Sequence, residues 1–105
     1  MDDLYTRFNG VFFEKTRLSI ITLLYREEKM AFNTLKQRLA VTDGSLYTHL
    51  QKLIDAGYVK RSREMVGTGL QSVYRLSAEG AREFREYLAF LERMVTGSAN
   101  GGNTK

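Results

Sequence analysis

The chain has 105 residues, a formal net charge of +4, 43% hydrophobic and 27% charged residues, and neither cysteine nor proline. That length holds one small domain, and that composition supports a packed core instead of a disordered polymer. The lack of cysteine excludes disulfide frameworks, thiolate metal sites and cysteine nucleophiles, which suits a reducing, cytoplasmic setting. The most apolar stretch, 18–25, is interrupted by Ser19 and Thr22 and is far shorter than the ~20 residues of a membrane span, so no membrane association is expected.

In chain order, Leu4, Tyr5, Phe8, Val11, Phe12 and Phe13 recur at three- and four-residue steps, an aromatic-rich helix or turn that wants a partner surface. Over 15–28, Leu18, Ile21, Leu24 and Tyr25 make an apolar stripe widened by Ile20 and Leu23, which predicts a core helix. Met30 and Ala31 read as extended. Asn33 then suits the cap of a short helix through Leu39, with Phe32, Leu35 and Leu39 on its buried face. Thr42 and Asp43 both suit an N-cap, and Leu46, Leu50 and Leu53 follow at i, i+4 and i+7 with Ile54 beside them. Gly57 stands where a left-handed residue closes the last turn, so a helix is predicted over about 43–56.

Residues 58–65 and 72–76 mix β-branched, aromatic and basic side chains, and the link between them carries Gly67 and Gly69, which predicts a hairpin with a flexible tip. Ser77 caps a last helix over 78–96, on which Ala81, Phe84, Leu88, Leu91 and Val95 form a two-heptad apolar seam. Residues 97–105 are rich in glycine and asparagine and are expected to form a disordered tail. The order of helix, helix, short helix, helix, hairpin, helix is that of an α+β winged helix-turn-helix with extra N- and C-terminal helices, one domain over 1–96.

The excess charge is local. Residues 1–35 and 76–105 are each neutral, while 36–75 carries Lys36, Arg38, Lys52, Lys60, Arg61, Arg63 and Arg75 against Asp43, Asp55 and Glu64. Segregated positive charge suits a phosphate-binding surface, because neutralising phosphates releases condensed counterions. With its leucines turned inward, the helix over 43–56 faces solvent through Gly44, Ser45, Thr48, Gln51, Lys52 and Asp55, a small and polar face suited to a major groove. Gln can pair with adenine, Ser and Thr can reach base edges or phosphate, and Lys favours guanine or phosphate.

Thr42 opens that helix, and Tyr47 at its margin contacts the backbone or packs on the preceding helix. His49, the one histidine, has no cysteine or second histidine to share a metal, so no metal and no cofactor are expected; it braces the helix or donates to a phosphate. Arg61, Arg63 and Arg75 on the hairpin are candidate phosphate anchors, with an ion pair to Glu64 the alternative for Arg75. Leu4, Tyr5, Phe8, Phe12, Phe84, Leu88, Leu91 and Val95 offer more apolar area than a domain of this size can cover by itself, and they are the candidate homodimer interface. The alternative is that the two ends pack on each other within one chain. No carboxylate pair, nucleophile-base pair or phosphate loop is present, and no enzyme is expected.

The segments TRLSIITLL, FNTLKQRLAVTDGSLYTHLQKLIDAGYVK and VYRLSAEGAREF resemble the winged-helix transcriptional regulators related to the multiple-antibiotic-resistance and arsenic-repressor families. The likeness covers about residues 15–90 and centres on Thr42, Asp43, Gly44, His49, Leu50, Leu53 and Gly57, the recognition helix of a small prokaryotic group. It implies a homodimeric, double-stranded-DNA-binding repressor or activator whose terminal helices form the dimer, and it leaves the small-molecule effector unknown. Two positions depart from the pattern. Glu14 and Lys15 stand where a His-Pro pair is common, which alters only the helix start. Gly67, Thr68 and Gly69 stand where many relatives carry an arginine-rich wing tip, so insertion of the wing into a minor groove is not implied. The expected function is therefore a sequence-specific transcriptional regulator; the alternative is a winged-helix protein-interaction module or a weakly specific architectural DNA binder.

Overall fold

The apolar stripes of the helices meet one face of a small antiparallel sheet, and that meeting is the core. The structure, a computed structural model, describes residues 10–97. Along the chain these form α1 (Gly10–Phe13), α2 (Lys15–Glu27), β1 (Met30–Ala31), α3 (Phe32–Leu39), α4 (Asp43–Asp55), β2 (Val59–Val66), β3 (Gly69–Leu76) and α5 (Ala78–Thr96). The three strands lie in the order β1-β3-β2, and both pairings are antiparallel. This is the α+β winged-helix architecture expected from the order of elements. Leu4, Tyr5 and Phe8, and the tail over 98–105, lie outside the described residues.

Leu46, Leu50 and Leu53 of α4 pack with Ile20, Ile21 and Leu24 of α2, Leu35 of α3, and Val59 and Tyr74 of the sheet, all of them buried. Taking a leucine side chain fully out of water is worth about 1.5–3 kcal/mol, so this cluster dominates the stability. The stripe of α2 is rotated from its expected position. Its centre is Ile20, Ile21 and Leu24 with Arg17, whereas Tyr25 stays 39% exposed and lays its ring 5.0 Å from that of Phe84.

Helix ends are set by local chemistry. Glu14 caps α2 by accepting from the Arg17 N–H, Thr42 caps α4 by accepting from the Ser45 N–H, and Ser77 caps α5 by accepting from the Gly80 N–H. Asn33 does not cap α3: that helix starts at Phe32 directly from β1, with Ala31 at the N-cap and no side-chain bond. Met30 and Ala31 are extended as expected, and they pair with Tyr74 and Val73 as an edge strand, so the chain entering α3 is fixed by the sheet. At the end of α4, Tyr58 N–H bonds to Leu53 C=O and Gly57 N–H to Ile54 C=O, with Gly57 at φ 87°, a Schellman closure that turns the chain straight into β2.

The hairpin is longer and tighter than its sequence suggests. Pairing runs without a break from Val59↔Leu76 to Val66↔Gly69, leaving Gly67 and Thr68 as a two-residue turn with Gly67 at φ 63°. Ser77 joins the wing's exit to its entry, because its hydroxyl donates to Gly57 C=O at 2.6 Å and its N–H to Tyr58 C=O at 2.9 Å. The start of α5 lies so close to the residue that leads into β2 that a Cβ at Gly80 would stand 2.2 Å from the Tyr58 carbonyl oxygen. Gly80→Ala is accordingly expected to cost about 1–3 kcal/mol through overpacking. Thermal unfolding followed by circular dichroism should show a loss of several degrees.

Candidate nucleic-acid interface

α3 and α4, joined by residues 40–42, form a helix-turn-helix in which burial of one side of α4 decides what the other side presents. Leu46, Leu50 and Leu53 are at most 1% exposed, so at 100° per residue the opposite side must face water. Thr42, Gly44, Ser45, Tyr47, Thr48 and Lys52 are all exposed. A Cβ at Gly44 would meet nothing within 4 Å, which leaves this part of the helix open to close approach by another surface. Lys36 of α3 reaches Asp43 at 2.8 Å across the turn, an exposed pair that adds little to stability.

The wing adds cations on the same side. Cross-strand partners share a sheet face, so Arg61, opposite Tyr74, and Arg63, opposite Ser72, extend the face whose inner end is Val59 and Tyr74. Both arginines are exposed, and Arg61 is near α4: its Nη1 donates to Gln51 Oε1 at 3.4 Å, while Gln51 Nε2 donates to Asp55 Oδ1 at 3.0 Å. Gln51 is therefore half-buried and engaged, unlike Ser45, Thr48 and Lys52. Beyond Arg63 this face ends in the exposed pair Met65 and Leu70.

Arg75 departs from that group. It pairs with Lys60 in the register and so lies on the opposite sheet face. There its Nη2 donates to Glu64 Oε2 at 3.1 Å and its Nη1 to Ser62 Oγ at 3.3 Å. Lys29 Nζ donates to Glu64 Oε1 at 2.9 Å and Ser62 Oγ to Oε2 at 2.8 Å. These donors, Lys29 foremost, then Ser62 and Arg75, hold the Glu64 carboxyl down to about 2. The ion pair with Glu64, one of two readings of Arg75 from sequence, is the arrangement present.

His49 also turns from solvent. Its side chain is 19% exposed, and its Nδ1 lies 3.0 Å from Arg17 Nη1 and 3.5 Å from Glu14 Oε1. Arg17, buried at 9% exposure, donates through Nε to Val11 C=O at 2.7 Å and through Nη2 to Gly10 C=O at 3.2 Å. Burial pushes the Glu14 carboxyl up, but the backbone N–H groups of Arg17 and Thr16, together with the charge of Arg17, outweigh it and hold the group below its usual range. Sequence reading missed Arg17. The signal was present, because Arg17 stands three, four and seven residues before Ile20, Ile21 and Leu24, on their side of α2.

Of the candidate dimer residues, Phe12 and Phe84 belong to the chain's own core at 1% and 5% exposure. Phe12 packs edge-on against Phe13, Tyr58 and Tyr87. This part of the N-terminal segment docks within the chain, the alternative weighed from sequence. Leu88, Leu91 and Val95 remain exposed along the second half of α5, and Met94 joins them.

A winged helix DNA-binding domain family model matches residues 16–95, and the chain belongs to that family. The resemblance seen in the sequence thus holds at the level of the family. An uncharacterized protein of Methanocaldococcus jannaschii is 33% identical over 81 residues, covering 77% of this chain and 84% of that protein. Among solved structures, a transcriptional regulator homologue from Pyrococcus horikoshii superposes with a TM-score of 0.80 at 23% identity, covering 92% of this chain and 97% of that one. The homodimeric winged helix-turn-helix DNA-binding domain of a Mycobacterium bovis protein, described as a possible ArsR-family transcriptional regulator, superposes with a TM-score of 0.73 at 22% identity, covering 95% and 89%. At these identities the solved structures show a shared fold.

Because the folded pKa of Glu64 is lowered, its contribution to stability is fully present above the unfolded value near 4.5 and is lost as pH falls through about 2. The stability difference between the wild type and Glu64→Gln, measured by urea unfolding, should therefore shrink steadily from pH 5 to pH 2. A difference that is constant over that interval would mean that the cluster around Glu64 does not form in solution.

Proposed function

We propose that the chain is a transcriptional regulator that binds double-stranded DNA sequence-specifically as a homodimer, with α4 in the major groove and the wing on the backbone. The observation that supports this most is the alignment of two surfaces: the small polar side of α4 and the Arg61–Arg63 face of the wing look the same way. Ser45, Thr48 and Lys52, exposed along the outer side of α4, are the groups for base edges and nearby phosphates. Gln51, engaged by Asp55, steadies Arg61 for a phosphate contact, and Arg63 supplies a second. Arg75, turned to the other sheet face and paired with Glu64, is left out of this set, as is the inward-turned Nδ1 of His49.

The proposed dimer contact is the exposed stripe Leu88, Leu91, Met94 and Val95 of α5, with the N-terminal segment contributing Leu4, Tyr5 and Phe8. A relative of the same fold is described as homodimeric. Two-fold symmetry would set two α4 helices about 34 Å apart on one side of the duplex. The domain would then comprise 1–96 with a tail from 97, acting in the cytoplasm; among the described residues no helix is long and apolar enough to cross a membrane. The uncharged wing tip with its exposed Met65 and Leu70 favours a second reading, in which the wing docks on a protein instead.

Selection from a random DNA pool should return a two-fold symmetric consensus. With roughly three cationic phosphate contacts per protomer, log affinity against log salt should fall with a slope of about −5 for the dimer. Thr48→Ala should flatten discrimination between the consensus and its single-base variants, by about 1–3 kcal/mol at one position, whereas Arg61→Ala should weaken all sequences alike. No consensus and a slope near zero would favour the protein-docking reading. In sedimentation, Leu91→Glu should convert a dimer to a folded monomer; a dimer that survives it would remove α5 from the interface.

A further inference from the structure

The buried guanidinium of Arg17 is used by nothing in the proposed contact with DNA, yet it touches two elements besides its own. Its Nε and Nη2 take the carbonyls of Val11 and Gly10 in α1, and its Nη1 meets Nδ1 of His49 in α4. The planar fork lets one cation span three acceptors in different directions, which a lysine cannot do. Burying such a charge is costly unless its donors are satisfied. Each of these acceptors is therefore bound to the placement of the others.

The chemistry of the pair assigns the tautomer that the heavy-atom distance by itself leaves open. A guanidinium only donates, so the atom facing Nη1 must be an acceptor, which makes Nδ1 the bare nitrogen and puts the ring proton on Nε2. Glu14 Oε1, 3.5 Å from the same Nδ1, is then a charged neighbour and no hydrogen-bond partner. His49 stands one residue after Thr48 and three before Lys52, in the stretch of α4 that the proposed function places in the groove.

We infer that Arg17 is a positioning residue for the recognition helix: through His49 it ties the seating of α4 to that of the N-terminal turn at 10–13, so that a displacement of that turn is felt at the DNA surface. The inference rests on the proposed function for its consequence in DNA affinity, but the coupling is a property of the free protein. The N-terminal turn thereby becomes a point from which a bound ligand or a second protomer would alter DNA affinity, since both sites bias one shared set of hydrogen bonds.

Two measurements test this. In the free wild-type protein at pH 8, long-range nitrogen–proton spectra of the His49 ring should show the proton on Nε2 and a bare, hydrogen-bonded Nδ1. Arg17→Lys should shift the backbone amides of both Val11 and Thr48 to Gln51 and release the ring to a mixture of tautomers. A proton on Nδ1 in the wild type, or amide shifts confined to α2, overturns the inference whether or not DNA is bound. On the selected DNA, with folding confirmed by circular dichroism, Arg17→Lys and His49→Leu should each weaken binding about tenfold. The double variant should be no weaker than the poorer single one, as expected of residues acting through one bond. Independent, multiplying losses overturn the coupling. If the wild type binds no DNA, the proposed function fails while the ring and amide spectra still decide the coupling.

Discussion

Burial of three leucines on one side of α4 is the constraint from which the rest of the molecule follows. Leu46, Leu50 and Leu53 lie at helical spacing and are sealed between α2, α3 and the sheet. A helix held by one side cannot rotate without exposing them, and exposing even one costs more than any surface hydrogen bond on the other side returns. The presentation of Gly44, Ser45, Thr48 and Lys52 is thus a by-product of packing. The Thr42 cap and the Gly57 closure fix where that side begins and ends.

Sheet parity does for the wing what helical periodicity does for α4. Alternate residues of β2 point to opposite faces, so Arg61 and Arg63 share the side on which α4 lies while Lys60, Ser62 and Glu64 take the other. The cations nearest one another in sequence are consequently divided between two environments. One group is left exposed, and on the other face Arg75, together with Lys29, is drawn into the bonds around Glu64. That second cluster connects the approach to β1 with β2 and β3, and it holds the wing against the body of the domain.

The N-terminal turn and α5 enclose the core from one side, and they differ in what they leave uncovered. Phe12, Phe13, Tyr58, Tyr87 and Phe84 pack ring against ring, which absorbs the aromatic excess of the first described turn. In the later half of α5, Phe90 is buried in the core while Leu91, Met94 and Val95 stay in solvent. Gly80 lets the first turn of α5 lie against the Tyr58 backbone just before β2, and Phe90 returns the helix to the core between the exposed positions.

Much of this was legible in the chain alone. The apolar periods of α2, α4 and α5, the caps Thr42 and Ser77, the closing Gly57 and the position of the hairpin are local properties, set by side chains within about one turn of each other, and sequence reports local preferences directly. Arg17 was missed, Asn33 was misplaced, and Arg75, Phe12 and Phe84 were left between two readings, because their surroundings are built by residues far along the chain. A charged residue on an apolar stripe acquires meaning only when distant carbonyls and a histidine arrive around it. A helix needs no cap when a paired strand already fixes its entry. The sign of a hairpin face is decided by which register the strands adopt. Composition and periodicity determined that this chain would build a winged helix with a polar outer side on α4; tertiary packing decided which cations face that side, because only long-range contacts can satisfy or release a charge.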